Sequence, residues 1–172
     1  MTEMVQAATE FKKSGYSDDD SAQLAQVATL YQNVADSEMS ASDSSAYLIS
    51  QMKAFNITAD DAITIIDKTN EVSNSFAVSS TDVSTALTKT SSAMSAYGNT
   101  IDETIGMTTA ATEVMTGQAG KVSKGLRSIG ANITKLASSG KSLDYTINGA
   151  AKSISLFDEI CKALYCLIFF CV

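Results

Sequence analysis

Proline, histidine and tryptophan are absent from the 172-residue chain, and aromatic residues make up only 7% of it. Each absence excludes something. Without proline, no residue fixes φ or removes a backbone donor, so helical segments meet no obligatory break. Without histidine, neither a Ser-His-Asp nor a Cys-His catalytic set can be built within the chain. With so few aromatics, alanine fills many apolar positions, and a thin core of modest stability is expected. The cysteines are confined to one end, at Cys161, Cys166 and Cys171. Intervals of five with no histidine do not match a zinc pattern. Long apolar runs are missing too: the terminal run, Ala163 to Val172, is ten residues, whereas a bilayer span needs about 20.

What fills the chain instead is hydroxyl. There are 24 serines and 18 threonines, yet hydrophobic residues still reach 45%, enough to argue against disorder. The hydroxyls are placed with a period. Thr58-Ala-Asp-Asp61, Ser79-Ser-Thr-Asp82 and Thr100-Ile-Asp-Glu103 each set a hydroxyl three residues before a carboxylate, and their starts are 21 residues apart. A hydroxyl at a helix N-cap accepts from a free backbone N–H, and the acid three residues on answers back. Gly98 and Gly117 fall where two such helices should stop. The spacing predicts three successive helices of about 16–19 residues with short turns and breaks near Asn56, Val78 and Asn99. Their apolar stripes would be Ile63, Ile66, Val72 and Phe76, then Val83, Leu87, Met94 and Tyr97, then Ile105, Ala111, Val114 and Met115.

The flanks read as helices as well. Met4, Ala7, Ala8 and Phe11 form one stripe, closed by Gly15. Ser17 precedes Asp18-Asp-Asp20 and a stripe of Leu24, Val27, Leu30, Tyr31 and Val34, while Ser42 or Asp43 is the expected cap for a helix through Phe55. Val122, Leu126, Ile129, Ile133 and Leu136 step by 4, 3, 4 and 3, a short heptad seam interrupted by Gly125 and Gly130. A last amphipathic helix is expected from about Tyr145 to Ile160. The fold class is therefore all-α: an array of short antiparallel amphipathic helices joined by tight turns, repeating at about 21 residues. Residues 1–158 form the helical domain. Residues 159–172 form an apolar Cys-rich tail outside it, and the break in composition points to a truncated or frameshifted reading frame, or to the start of a membrane segment.

Charge separates the halves. Net charge is −7, but residues 1–103 carry 15 acids against 5 bases, and residues 104–172 carry 4 against 7. The acidic half argues against nucleic acid as the main partner. The basic residues Lys121, Lys124, Arg127, Lys135 and Lys141 read as a solvated helix face opposite acidic neighbours, with anion binding as the alternative. Asp18-Asp-Asp20 lacks the central glycine and twelfth-position glutamate of a calcium loop, with Thr29 at that position. Gly117-Gln-Ala-Gly-Lys121 has the wrong spacing for a phosphate loop. No catalytic, cofactor-binding or metal-ligating residues are expected, and no cofactor.

Several stretches, taken in order, resemble the conserved core region of phage tail tape measure proteins, the family of phages of Gram-positive bacteria. They are Ala7-Ala-Thr-Glu-Phe-Lys-Lys-Ser-Gly-Tyr-Ser17, Ile65-Ile-Asp-Lys-Thr-Asn-Glu-Val-Ser-Asn74, Tyr97-Gly-Asn-Thr-Ile-Asp-Glu-Thr-Ile-Gly106, Thr109-Ala-Ala-Thr-Glu113 and Gly125-Leu-Arg-Ser-Ile-Gly130. The likeness covers about residues 5–135. It implies a structural virion protein, not an enzyme, that lies in the tail lumen, acts in tail assembly and sets tail length. Implied partners are tail tube and baseplate or tail assembly proteins, with self-association; apart from the resemblance, the apolar composition of residues 160–172 makes them the one route to a membrane. Implied locations are the virion tail and, during assembly, the host cytoplasm. Family members are usually much longer, so the chain reads as a truncated or prophage-derived copy. The alternative class is a helical signalling or interaction module of chemoreceptor-like rod type, which needs heptads sustained through a long hairpin.

Overall fold

Hydroxyl caps set four of the helix starts, and in the computed structural model they can be read one by one across the described residues, 2–36, 38–139, 143–147 and 150–154. Seven helices result: α1 (Thr2–Lys13), α2 (Asp18–Val34), α3 (Ala41–Phe55), α4 (Ala62–Ser75), α5 (Ser80–Ala96), α6 (Ile101–Val114) and α7 (Ala119–Ser138). Ser17 accepts from the Asp20 N–H and Ser79 from the Thr81 N–H. Thr100 has the full capping box: its hydroxyl accepts from the Glu103 N–H, and the Glu103 carboxylate accepts from the Thr100 N–H. The cap of α3 is Ser40, not Ser42 or Asp43, because Ser40 accepts from the Asp43 N–H. Thr58 does not cap. Its hydroxyl donates to the Asp61 carboxylate, and α4 begins after Asp61, which makes no side-chain cap bond. Helix starts at 62, 80 and 101 are therefore 18 and 21 residues apart, not equally spaced. Gly98 and Gly117 end α5 and α6 with φ of +89° and +71°, values that glycine adopts without a Cβ clash.

The breaks fall where expected, but the repeating unit is larger. Helices α3, α5 and α7 start at residues 41, 80 and 119, each 39 apart, and α1 is described from Thr2, 39 before α3. The unit is a pair of helices. Its register shows in side chains at equivalent positions: Leu48 and Leu87 are both buried, as are Ser45, Ser84 and Ser123, Ile66 and Ile105, and Thr69 and Thr108.

Contacts between units show how the pairs stack. Lys53 near the end of α3 donates to the Ser14 carbonyl just past the end of α1. Ser91 and Ser95 of α5 donate to the Gln51 side chain and the Ala54 carbonyl of α3. Asp82 at the start of α5 accepts from the Gly117 N–H before α7, and Tyr97 after α5 donates to the Arg127 carbonyl. Ends meet ends from α1 through α3 to α5, starts meet starts from α5 to α7, and the end of α5 reaches the middle of α7, so the odd-numbered helices form one layer of parallel neighbours in the order α1, α3, α5, α7. The even-numbered helices form the second layer: Gln23 of α2 reaches Asp60 ahead of α4, and Lys68 of α4 pairs with Asp102 of α6. An array described only as antiparallel misses this parallel layer.

The core runs between the layers. Phe11, Leu24, Tyr31, Tyr47, Leu48, Ile65, Val83 and Leu87 are fully buried. The Tyr31 and Tyr47 rings lie 5.3 Å apart; Tyr31 donates to the Ser80 carbonyl, and Tyr47 shares a hydrogen bond with Thr69. Asp36 and Ser80 clasp α2 to α5 reciprocally: the Asp36 carboxylate accepts from the Ser80 N–H, and the Ser80 hydroxyl accepts from the Asp36 N–H. Six expected stripe residues lie outside the core: Met4 of α1, Leu30 and Val34 of α2, Phe76 just past α4, Val114 at the end of α6, which is 85% exposed, and the half-exposed Ile129 of α7.

The seven helices bear out the all-α class, with one departure. Where a helix was expected from about Tyr145, a hairpin stands instead: β1 (Leu143–Ile147) pairs antiparallel with β2 (Ala150–Ile154), with Ile147 opposite Ala150. Asn148-Gly149, the intervening sequence, is a strong two-residue hairpin signal, and Thr146 and Ile147 are β-branched. The Cys-rich tail expected over residues 159–172 lies outside the described residues.

Two outcomes follow from the caps and the tyrosine pair. Thr100→Ala should lower unfolding free energy by about 1 kcal/mol, and Thr58→Ala by clearly less, in chemical denaturation. Burial, with the nearby Asp36 charge adding, raises the Tyr31 hydroxyl to about 12, and burial pushes Tyr47 up as well. An unfolded tyrosine ionises near pH 10. The folded state therefore holds these protons longer, so their contribution is complete below about pH 10 and is lost as pH rises toward about 12. The denaturation midpoint should be flat up to about pH 9 and fall above it; Tyr31→Phe should flatten that fall.

Candidate functional site

The candidate working surfaces among the described residues are helix faces, and α5 is at their centre. It packs on α3, α7, α6 and α4. Small residues let the neighbours approach. Ala86 is fully buried against Ala119 and Val122 of α7, and Ser91 is buried against Gln51 of α3. The hydroxyls on this face are satisfied locally, with Thr90 donating to the Ala86 carbonyl and Ser91 also to that of Leu87. The largest fully buried side chain on α5 is Leu87.

Beside this contact, α3 and α5 leave an open groove of about 290 Å3, lined by Asp43 and Tyr47 on one side and Thr85, Thr88 and Lys89 on the other. Of its two acids, Glu38 and Asp43, the Asp43 carboxylate accepts from the Ser40 hydroxyl. Its tyrosine is buried and bonded to Thr69. The groove therefore brings together no nucleophile, base and third orienting group.

The other acidic clusters are also occupied with folding. Asp18 pairs with Lys12, and Asp20 accepts from Ser17. Asp61 accepts from Thr58, Asp102 pairs with Lys68, and Glu103 completes the capping box. Among the described residues no group of three or more His, Cys, Asp or Glu is placed to hold a metal. Gly117 to Lys121 follows α6, and Lys121 donates to Gln118 at the start of α7. Among the described residues no helix is long and apolar enough to cross a membrane.

Two groups of residues stand out only once the 39-residue register is known. Tyr97 lies over Gly130, so closely that a Cβ there would run into the ring. Gly125, by contrast, faces open space on the far side of α7, near the half-exposed Ile129. The sequence signal that would have found them is the spacing of Leu48, Leu87 and Leu126, and of Ser45, Ser84 and Ser123, at 39 residues.

These features define a class of protein: a stacked-helix packing module whose working parts are surfaces. The chain matches the family model for phage-related minor tail proteins over residues 1–159, and it belongs to that family. No solved structure matches it. It is thus a structural protein of the phage tail, placed in the virion tail among other tail proteins.

The two glycines give opposite expectations. Gly125→Ala should stabilise the chain by about 1 kcal/mol, since it removes a helix-interior glycine and meets nothing. Gly130→Ala gains the same propensity but displaces Tyr97, and its midpoint in urea should fall below that of Gly125→Ala.

Proposed function

We propose that this chain is the core region of a tail tape measure protein, of the kind found in phages of Gram-positive bacteria, and that it acts in tail assembly and in tail length determination. Membership of the minor tail family and the ordered resemblances across residues 5–135 support the reading. The observation that carries it is the packing of α5 against four other helices, which makes the domain a scaffold for helix contacts. On this reading the partners are tail tube and baseplate or tail assembly proteins, together with further copies of the chain, and assembly begins in the host cytoplasm. The division into a helical domain of residues 1–158 and a separate apolar tail belongs to the same proposal. The family match, which stops at residue 159, supports it. A chemoreceptor-like rod fits less well: α7, the longest described helix, has 20 residues and spans about 30 Å.

The test is an in-frame deletion of residues 80–118, one complete helix pair, in the phage that carries the gene, with tails counted and measured by electron microscopy. Few normal tails are expected, because α5 is the shared packing partner. Survivors should be shorter by no more than about 60 Å, the length of one 39-residue helix. Tails of unchanged number and length would overturn the proposal.

A further inference from the structure

Each odd-numbered helix has a trailing face toward the preceding odd helix and a leading face toward the next. On the leading face, Gln51 of α3 and Thr90 of α5 are 0% exposed, whereas Ile129, the equivalent of both in α7, is 50% exposed. Tyr47 and Ala86 are buried, whereas their equivalent, Gly125, faces open space. On the trailing face, Val83 of α5 and Val122 of α7 are 0% and 2% exposed, whereas Val5, their equivalent in α1, is 67% exposed. Ser45, Ser84 and Ser123 are buried, whereas Gln6 is exposed. The described array therefore ends in two unlike faces, and each displays what every internal junction covers.

The two faces complement one another. At the α5–α7 junction Val122 packs against Ala86. Adding one repeat to that register sets Val5 of a second copy against Gly125, where no side chain stands in the way. The same step replaces Asp82, which accepts from the N–H before α7, by Lys121. The residue it would meet near the start of the incoming α1 is Glu3, an acid in the first turn. Repeat arrays whose ends must stay apart usually carry polar capping faces; Ile129 and Val5 are apolar.

We propose that the leading face of α7 binds the trailing face of α1 in a second copy, so that copies stack head to tail and continue the parallel layer. The contact is heterologous: each copy retains one free end of each kind, and growth continues unless the rotation closes a ring. This inference does not rest on the tape measure reading.

The test uses the full chain and two exposed substitutions, Ile129→Asp and Val5→Lys, each checked by circular dichroism for unchanged helicity. The unsubstituted chain should show, in sedimentation velocity from low to high micromolar concentration, a mass that rises past the dimer. Each variant alone should sediment as a monomer. Mixed in equal amounts, the two should form a one-to-one heterodimer and nothing larger, because one keeps the α1 face and the other the α7 face. Lys121→Glu should weaken the stacking, and Glu3→Lys on the same chain should restore it. An unsubstituted chain that stays monomeric throughout would overturn the proposal. So would a Val5→Lys chain that still dimerises while Ile129→Asp does not, since that pattern belongs to symmetric pairing through α7. The measurement is made in solution, so it can fail or succeed whatever happens to tails in the phage.

Discussion

A buried hydroxyl without a hydrogen-bond partner is costly; among the described residues Ser21, Ser45, Thr108, Thr109 and Thr112 are left without one, but the architecture depends on where the other buried hydroxyls find theirs. Thr69, Thr90, Ser91 and Thr104 each donate to the carbonyl four residues earlier in their own helix. A hydroxyl satisfied in this way behaves toward its neighbour as a small, nearly apolar bump. That is how a chain so rich in serine and threonine can bury them at helix contacts. Large side chains are then needed only between the layers, where Tyr31, Tyr47, Leu48 and Leu87 lie. Within the odd-numbered layer the contacts set a small residue against its neighbour: Ala86 against Val122, Ser91 against Gln51, Gly130 against Tyr97. Lateral packing of small residues is sensitive to register, because a shift of one residue brings a bulky side chain into the seam.

This constraint explains what was legible in the sequence and what was not. The caps at Ser17, Ser79 and Thr100 could be read directly, because capping is local chemistry within four residues. The turns around Val78 and Asn99 followed from the last two. Thr58 carried the same motif, yet Asp61 takes its hydroxyl and the helix starts three residues later. Local spelling alone does not separate a cap from a side-chain pair in a turn. The 39-residue unit was hidden for a different reason: its equivalent positions hold Tyr47, Ala86 and Gly125, which share a place in the stack and no chemical character. The hairpin at Leu143–Ile154 was missed because apolar spacing was weighed above the Asn-Gly signal between its strands.

The candidate surfaces were the least legible part. Ile129 and Val5 are ordinary apolar residues in amphipathic helices, and the sequence places each on a stripe or beside one. Only comparison with Thr90 and Val83, their buried equivalents, marks them as faces of an unfinished stack. The acidic clusters behaved in the reverse way. Asp18-Asp-Asp20 and Asp102-Glu103 draw the eye in the sequence, and the structure spends them on caps and ion pairs at the surface. Such exposed pairs contribute at most about 1 kcal/mol each. Membership of a minor tail family accords with a protein whose information lies in surfaces and register.

The pairwise stacking also has a mechanical meaning. Each helix pair touches chiefly the pairs beside it, with the Asp36–Ser80 clasp as a further tie from the first pair to the third, so tension drawn through the described residues is resisted mainly at junctions between neighbours. The chain would yield one pair at a time. A folded pair advances the array by one helix spacing, about 8–10 Å, whereas its 39 residues drawn out reach roughly 130–140 Å. The fold is a store of contour length, released in fixed increments and only under load.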